Sequence, residues 1–102
     1  MSTINSDEHS AKRYARSGPG QLLMPEMVTA YSGNVWVTDA GAGKILRFGS
    51  ADLSFNAEVG SFGSGDGQFN KPFGIATDGA YLYVGDGMPS RLGNHRVQKW
   101  VV

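Results

Sequence analysis

Apolar residues in this chain alternate with polar ones over short runs, each bounded by Gly, Pro, Asn or Asp. A period of two marks half-buried strands, and no window long enough for a helix keeps the 3.6-residue period. The pattern predicts strands over 34–38 and 81–84, both rich in the β-branched and aromatic side chains that suit a pleated surface. A second matching pair falls at 44–48 and 96–100, a third at 27–30 and 74–77, and a further strand at 57–62. The fold class expected is all-β.

The strands recur. A shift of 47 residues lays Ser17, Gly18, Gly20, Gln21 and Pro25 on Ser64, Gly65, Gly67, Gln68 and Pro72, and carries Val37 and Asp39 onto Val84 and Asp86. Beyond the Asp the shift grows to 52, because the second copy holds about five extra residues around 88–92; Lys44 then meets Arg96 and Phe48 meets Trp100. A repeat of this length with four strands per unit is the signature of a propeller blade. Pro25 and Pro72 stand at strand starts, where a missing N–H costs little, and Gly33 and Gly79 fall in turns that call for positive φ.

Composition narrows the chemistry. Nine basic and nine acidic residues cancel, so net charge gives no reason to expect a nucleic-acid or membrane partner. The absence of cysteine excludes a disulfide scaffold, a thiolate zinc site and a Cys nucleophile. Residues 41–45 imitate a phosphate loop, but Ile45 stands where Ser or Thr is needed and a strand follows in place of a helix. Two histidines cannot build a histidine-rich zinc site within one chain. The first 17 residues hold no apolar core of a secretory signal, and no apolar run is long enough to span a bilayer, so a cytoplasmic location is the default expectation.

The second copy, GDGQFNKPFGIATDGAYLYVGDG followed by GNHRVQKW, resembles an NHL repeat, whose pattern runs Gly-Gln-Phe, Pro-x-Gly-Ile-Ala, Leu-Tyr-Val-x-Asp and Asn-His-Arg-Val. The first copy, GPGQLLMPEMVTAYSGNVWVTDAGAGKILRF, is similar but departs from the pattern at Glu26 and Met27 and at 42–44. The resemblance implies a partial β-propeller, about two four-stranded blades of a six-bladed ring. Residues 1–16 form a polar arm, 17–63 the first blade and 64–102 the second, which lacks its outer strand. Small residues such as Gly74 and Ala76 then suit the crowded axis of the ring. The arm stands in register with a fourth strand. It is expected to complete a blade of a neighbouring chain, three chains closing the ring as a homotrimer, or to close a longer parent propeller.

On this reading Asp39 and Asp86 end the second strands and face Lys44 and Arg96 across the turn, so two carboxylate-to-cation pairs are expected there. Loops 17–24, 40–43, 63–71 and 87–95 gather on one face. Propellers commonly bind through that face, so Met88, Arg91, Leu92, Asn94 and His95 are the candidate contacts for a protein or peptide. No catalytic residue and no cofactor are predicted for such a module.

Two other readings follow from the resemblance. The chain is also similar to the peptidyl-α-hydroxyglycine amidating lyase branch, a metal-dependent enzyme whose zinc-binding histidines follow a Pro at the start of inner strands. Glu26 and Phe73 occupy those positions here, and Met88 occupies that of a functional Tyr. Only Glu26 is then a candidate ligand for zinc or calcium, as in an inactive or residual relative. Some NHL propellers bind RNA, and Arg91, Arg96 and Lys99 near Trp100 have the composition of a single-strand platform.

Overall fold

The computed structural model describes residues 20–87 and 93–102. The elements are all strands: β1 (Pro25–Tyr31), β2 (Asn34–Asp39), β3 (Lys44–Gly49), β4 (Phe55–Val59), β5 (Ser61–Phe62), β6 (Gln68–Phe69), β7 (Pro72–Thr77), β8 (Tyr81–Asp86) and β9 (Arg96–Val101). They form a four-stranded antiparallel sheet in the order β1-β2-β3-β4, a three-stranded antiparallel sheet in the order β7-β8-β9, and a short parallel pair of β5 with β6. Among the described residues no helix is long and apolar enough to cross a membrane.

The two large sheets repeat one another pair for pair. Pro25 faces Asp39 and Val28 faces Val37, with a bulge between them; Pro72 faces Asp86 and Ile75 faces Val84, with the bulge at the same place. A bulge adds a residue and sharpens the local twist, so β1 and β7 both bend just after their prolines. The hairpin turns need a left-handed residue, and Gly33 and Gly79 supply it at φ 84° and 93°. Among the described residues, nothing lies within 4 Å of where a Cβ at Gly74 would stand.

Alternation along each strand aims one face of the first sheet at the second. Trp36, Thr38 and Ile45 point inward from the first sheet and meet Leu82, Val84, Ile75 and Trp100 of the second, with Phe69 between the sheets. Phe69 stacks on Trp100, ring centroids 5.7 Å apart, which adds to the area that both rings bury. Thr38 is fully buried and its hydroxyl donates to the Phe73 carbonyl at 2.8 Å. It also accepts from the Met27 N–H at 3.0 Å, so one side chain ties β2 both to β1 and to β7 of the other sheet.

The strand expected over 57–62 is two elements. Gly60, at φ 77°, turns the chain out of the first sheet after Val59 and sends β5 to pair with β6 in parallel. A Cβ at Gly60 would lie 2.5 Å from the Phe69 ring, so the buried aromatic and the break in the strand require the same glycine.

Candidate loop face

Each second strand ends in a buried carboxylate. Asp39 accepts backbone N–H bonds from Leu23 at 2.9 Å, Met24 at 2.9 Å, Gly41 at 3.1 Å and Ala42 at 3.1 Å. Asp86 accepts from the N–H groups of Asn70 at 3.0 Å and Lys71 at 2.9 Å, and from Asn94 Nδ2 at 2.7 Å. Leu23 and Met24 correspond to Asn70 and Lys71 at the same shift of 47 residues. Each aspartate therefore fastens the segment entering its sheet to the loop leaving the second strand. Backbone donors fix where those loops lie because they cannot move without the chain.

The expected pair of Asp39 with Lys44 does not form. Lys44 Nζ turns outward to Glu58 Oε1 at 2.8 Å, an exposed pair, while the oxygens of Asp39 are taken by N–H groups. Buried N–H donors need a partner more than a solvated ammonium does. In the second sheet Arg96 Nε stands 3.8 Å from Asp86 Oδ2. The rest of the guanidinium is turned to the carbonyls of Ser64, Gly65 and Gln68 at 3.0, 2.7 and 2.6 Å. Arg96 thus clamps the 64–68 loop, and its pairing with Asp86 is not the two-pronged one that the arginine fork allows.

The described parts of all four loops meet at this end of the molecule. The Ala40 N–H donates to the Met24 carbonyl at 3.0 Å, and the Gly63 N–H to the Phe69 carbonyl at 2.9 Å. Gly41 packs on Leu23 and Met24, where a Cβ would come within 3.0 Å of the Leu23 Cβ. Gly43 packs equally closely on Phe62 and the Phe69 carbonyl. The 40–43 loop is therefore flanked by Leu23 and Met24 on one side and Phe62 on the other. All three of these large apolar side chains are exposed.

Among the candidate contacts, Met88, Arg91 and Leu92 lie outside the described residues. Asn94 is spent inward, donating to the Gly63 carbonyl at 2.9 Å as well as to Asp86. His95 is exposed beside it at φ 56°. Sequence reasoning passed over Leu23, Met24 and Phe62. The signal that marks them is their place beside glycines that admit only a bare backbone.

Glu26 is half-buried on β1, and among the described residues no three His, Cys, Asp or Glu side chains converge as a metal site would require. Trp100 is stacked on Phe69 and Arg96 is bound to three carbonyls, so neither is a free platform for a base. Lys99 lies 3.9 Å above the Tyr81 ring. The shifted titrations belong to the opposite end of the strands. Asp52 is held below its ordinary value by the Ser54 hydroxyl and N–H. Asp78 is lowered by the N–H groups of Tyr81 and Ala80 and by the Tyr83 hydroxyl, which is raised in return.

Set against protein-family models and curated proteins, the chain matches none.

Proposed function

We propose that this chain is a non-catalytic, NHL-type β-propeller module whose two large sheets are adjacent blades, and that its loop face docks a protein or peptide. The repeated register, the repeated bulge and the repeated buried aspartate support the blade reading. The observation that carries the binding role is the exposed trio Leu23, Met24 and Phe62 around a loop fixed by Asp39. Apolar side chains grouped on a rigid, otherwise polar rim are the usual composition of a docking patch.

A displayed peptide library selected on the chain tests this. Enriched peptides are expected to bind a double variant carrying Leu23→Ser and Phe62→Ser at least about tenfold more weakly. They should bind a Val101→Ser variant, altered on the far sheet, as tightly as the parent. Peptides indifferent to the double variant would overturn the assignment of the face.

A propeller needs about four to eight blades, so on this reading two blades call for more. Three copies in head-to-tail contact would supply six, and the remainder of a longer chain would supply them equally.

A further inference from the structure

The chain holds no cysteine and four methionines, so every sulfur in it is a thioether. Two of these lie among the described residues, Met24 and Met27, and they are 48% and 43% exposed. Met24 belongs to the apolar trio of the loop face, and its backbone is fixed there from three sides. Its N–H donates to Asp39 Oδ1 at 2.9 Å, and its carbonyl accepts from the Ala40 N–H at 3.0 Å. Gly41 is packed so closely that a Cβ there would lie 3.1 Å from the Met24 Cβ. The segment therefore cannot withdraw the side chain from solvent without releasing Asp39. Packing does not call for a thioether at this position. The second copy anchors Lys71 to Asp86 in the same way, with Asn70 where the first copy has Leu23. Polar residues serve the fold at both positions, so the apolar pair is a feature of the surface and not of the sheet.

We propose that Met24 is a reversible oxidation site that regulates the loop face, its thioether permitting docking and its sulfoxide weakening it. This regulation rests on the docking role proposed above. With hydrogen peroxide as the oxidant, a lone pair on Sδ attacks one peroxide oxygen. The O–O bond breaks, an S–O bond forms, and the other oxygen leaves as water. Sulfur loses the two electrons that the peroxide gains. The product is polar and chiral where the thioether was apolar and pliable. Thiol-dependent reductases return it to the thioether, releasing water and the disulfide of the reductant. A sulfoxide oxygen pressed against an apolar ligand loses its water without gaining a donor, and the backbone pinned to Asp39 holds it within the patch.

The full chain is treated with hydrogen peroxide, the excess is removed with catalase, and peptide mass mapping locates the added oxygen. Met24 is expected to be oxidised in the folded chain. The peptides selected on the untreated chain should then bind at least about tenfold more weakly. Methionine sulfoxide reductases for both epimers, with dithiothreitol, should restore binding. Met24→Leu has no sulfur to oxidise at this position. Its affinity, for the same peptides or for ones selected on the variant itself, should be the same before and after peroxide. Met27→Leu should lose binding on oxidation as the parent does, and should unfold in urea at the same midpoint before and after. A lowered midpoint would trace the loss to the fold and overturn the proposal. So would oxidation-sensitive binding by Met24→Leu, or undiminished binding by a chain shown to carry the Met24 sulfoxide. Peptides sensitive to the Leu23→Ser and Phe62→Ser double variant but not to oxidation would overturn the regulation alone. Peptides indifferent to both would overturn the docking role, and the regulation with it.

Discussion

Asp39 and Asp86 are fully buried, and both are held by N–H donors, Asp86 with Arg96 Nε in addition at 3.8 Å. Four N–H groups converge on Asp39, two from the segment that enters the sheet and two from the glycine-containing loop that follows β2. Removing the carboxylate with Asp39→Ala leaves those donors without an acceptor, and at about 1 to 3 kcal/mol for each buried group left unpaired the loss is set by how many of them water can reach. A destabilisation of about 3 to 5 kcal/mol is expected in urea unfolding. Lys44→Ala deletes only an exposed partner of Glu58 and should cost less than about 1 kcal/mol. Similar costs for the two variants would mean that Lys44 matters to the turn after all. The sequence displayed the acid and the base at the right spacing but not this outcome. What decides it is the return of the chain 15 or 16 residues earlier, which brings backbone donors to the carboxylate first.

At the scale of strands and hairpins, the periodic pattern located β1, β2, β3, β7, β8 and β9 to within a few residues, because apolar and polar positions alternate over short runs bounded by turn residues. The shift of 47 residues also carried the pairing of proline with aspartate, since equal sequence at equal spacing gives an equal bulge. The break at Gly60 was legible only as a change of phase, with Ala57 and Val59 apolar on one parity and Phe62 on the other; the Phe69 ring that excludes a side chain at Gly60 arrives from nine residues on. Tyr83 with Asp78 was hidden, for the two meet only once the hairpin has closed. The Tyr83 hydroxyl donates to Asp78 Oδ2 at 3.0 Å, and the N–H groups of Ala80 and Tyr81 donate to Oδ1. Asp78 titrates below its ordinary 3.8, so its contribution is present above that value and is lost as pH falls through the lowered one. Tyr83 titrates above its ordinary 10.0, so its contribution is present below that value and is lost as pH rises through the raised one. Unfolding midpoints of the parent minus those of Asp78→Asn should therefore shrink in acid, and those of the parent minus Tyr83→Phe should shrink in alkali. A pH-independent difference in either series would show that the turn is held by other bonds.

For the molecule as a whole, the packing of one sheet on the next is directional. The first sheet gives Trp36, Thr38 and Ile45 to the second, which answers with Leu82, Val84 and Trp100. The second sheet carries counterparts of the giving face in Tyr83, Gly85 and Val97, on the side turned away from the first. Among the described residues that side is half-covered at Tyr83 and Gly85 and exposed at Val97 and at Val101, which is 82% exposed. At the other end Val28, the counterpart of the packed Ile75, is exposed as well. A contact that joins unlike faces must either close by rotation or continue as a filament. If three chains of 10.9 kDa close, light scattering should give a mass of about 33 kDa that persists on dilution, with no larger species. Val97→Glu would place a carboxylate in the seam and should return the protein to monomer mass, whereas Leu23→Ser, on the loop face, should not. A cooperative monomer at every concentration would show that the two open faces are not partners for one another and that the ring, if there is one, is completed by other blades. A mass growing steadily with concentration would mean that the rotation from sheet to sheet does not divide a circle into three chains.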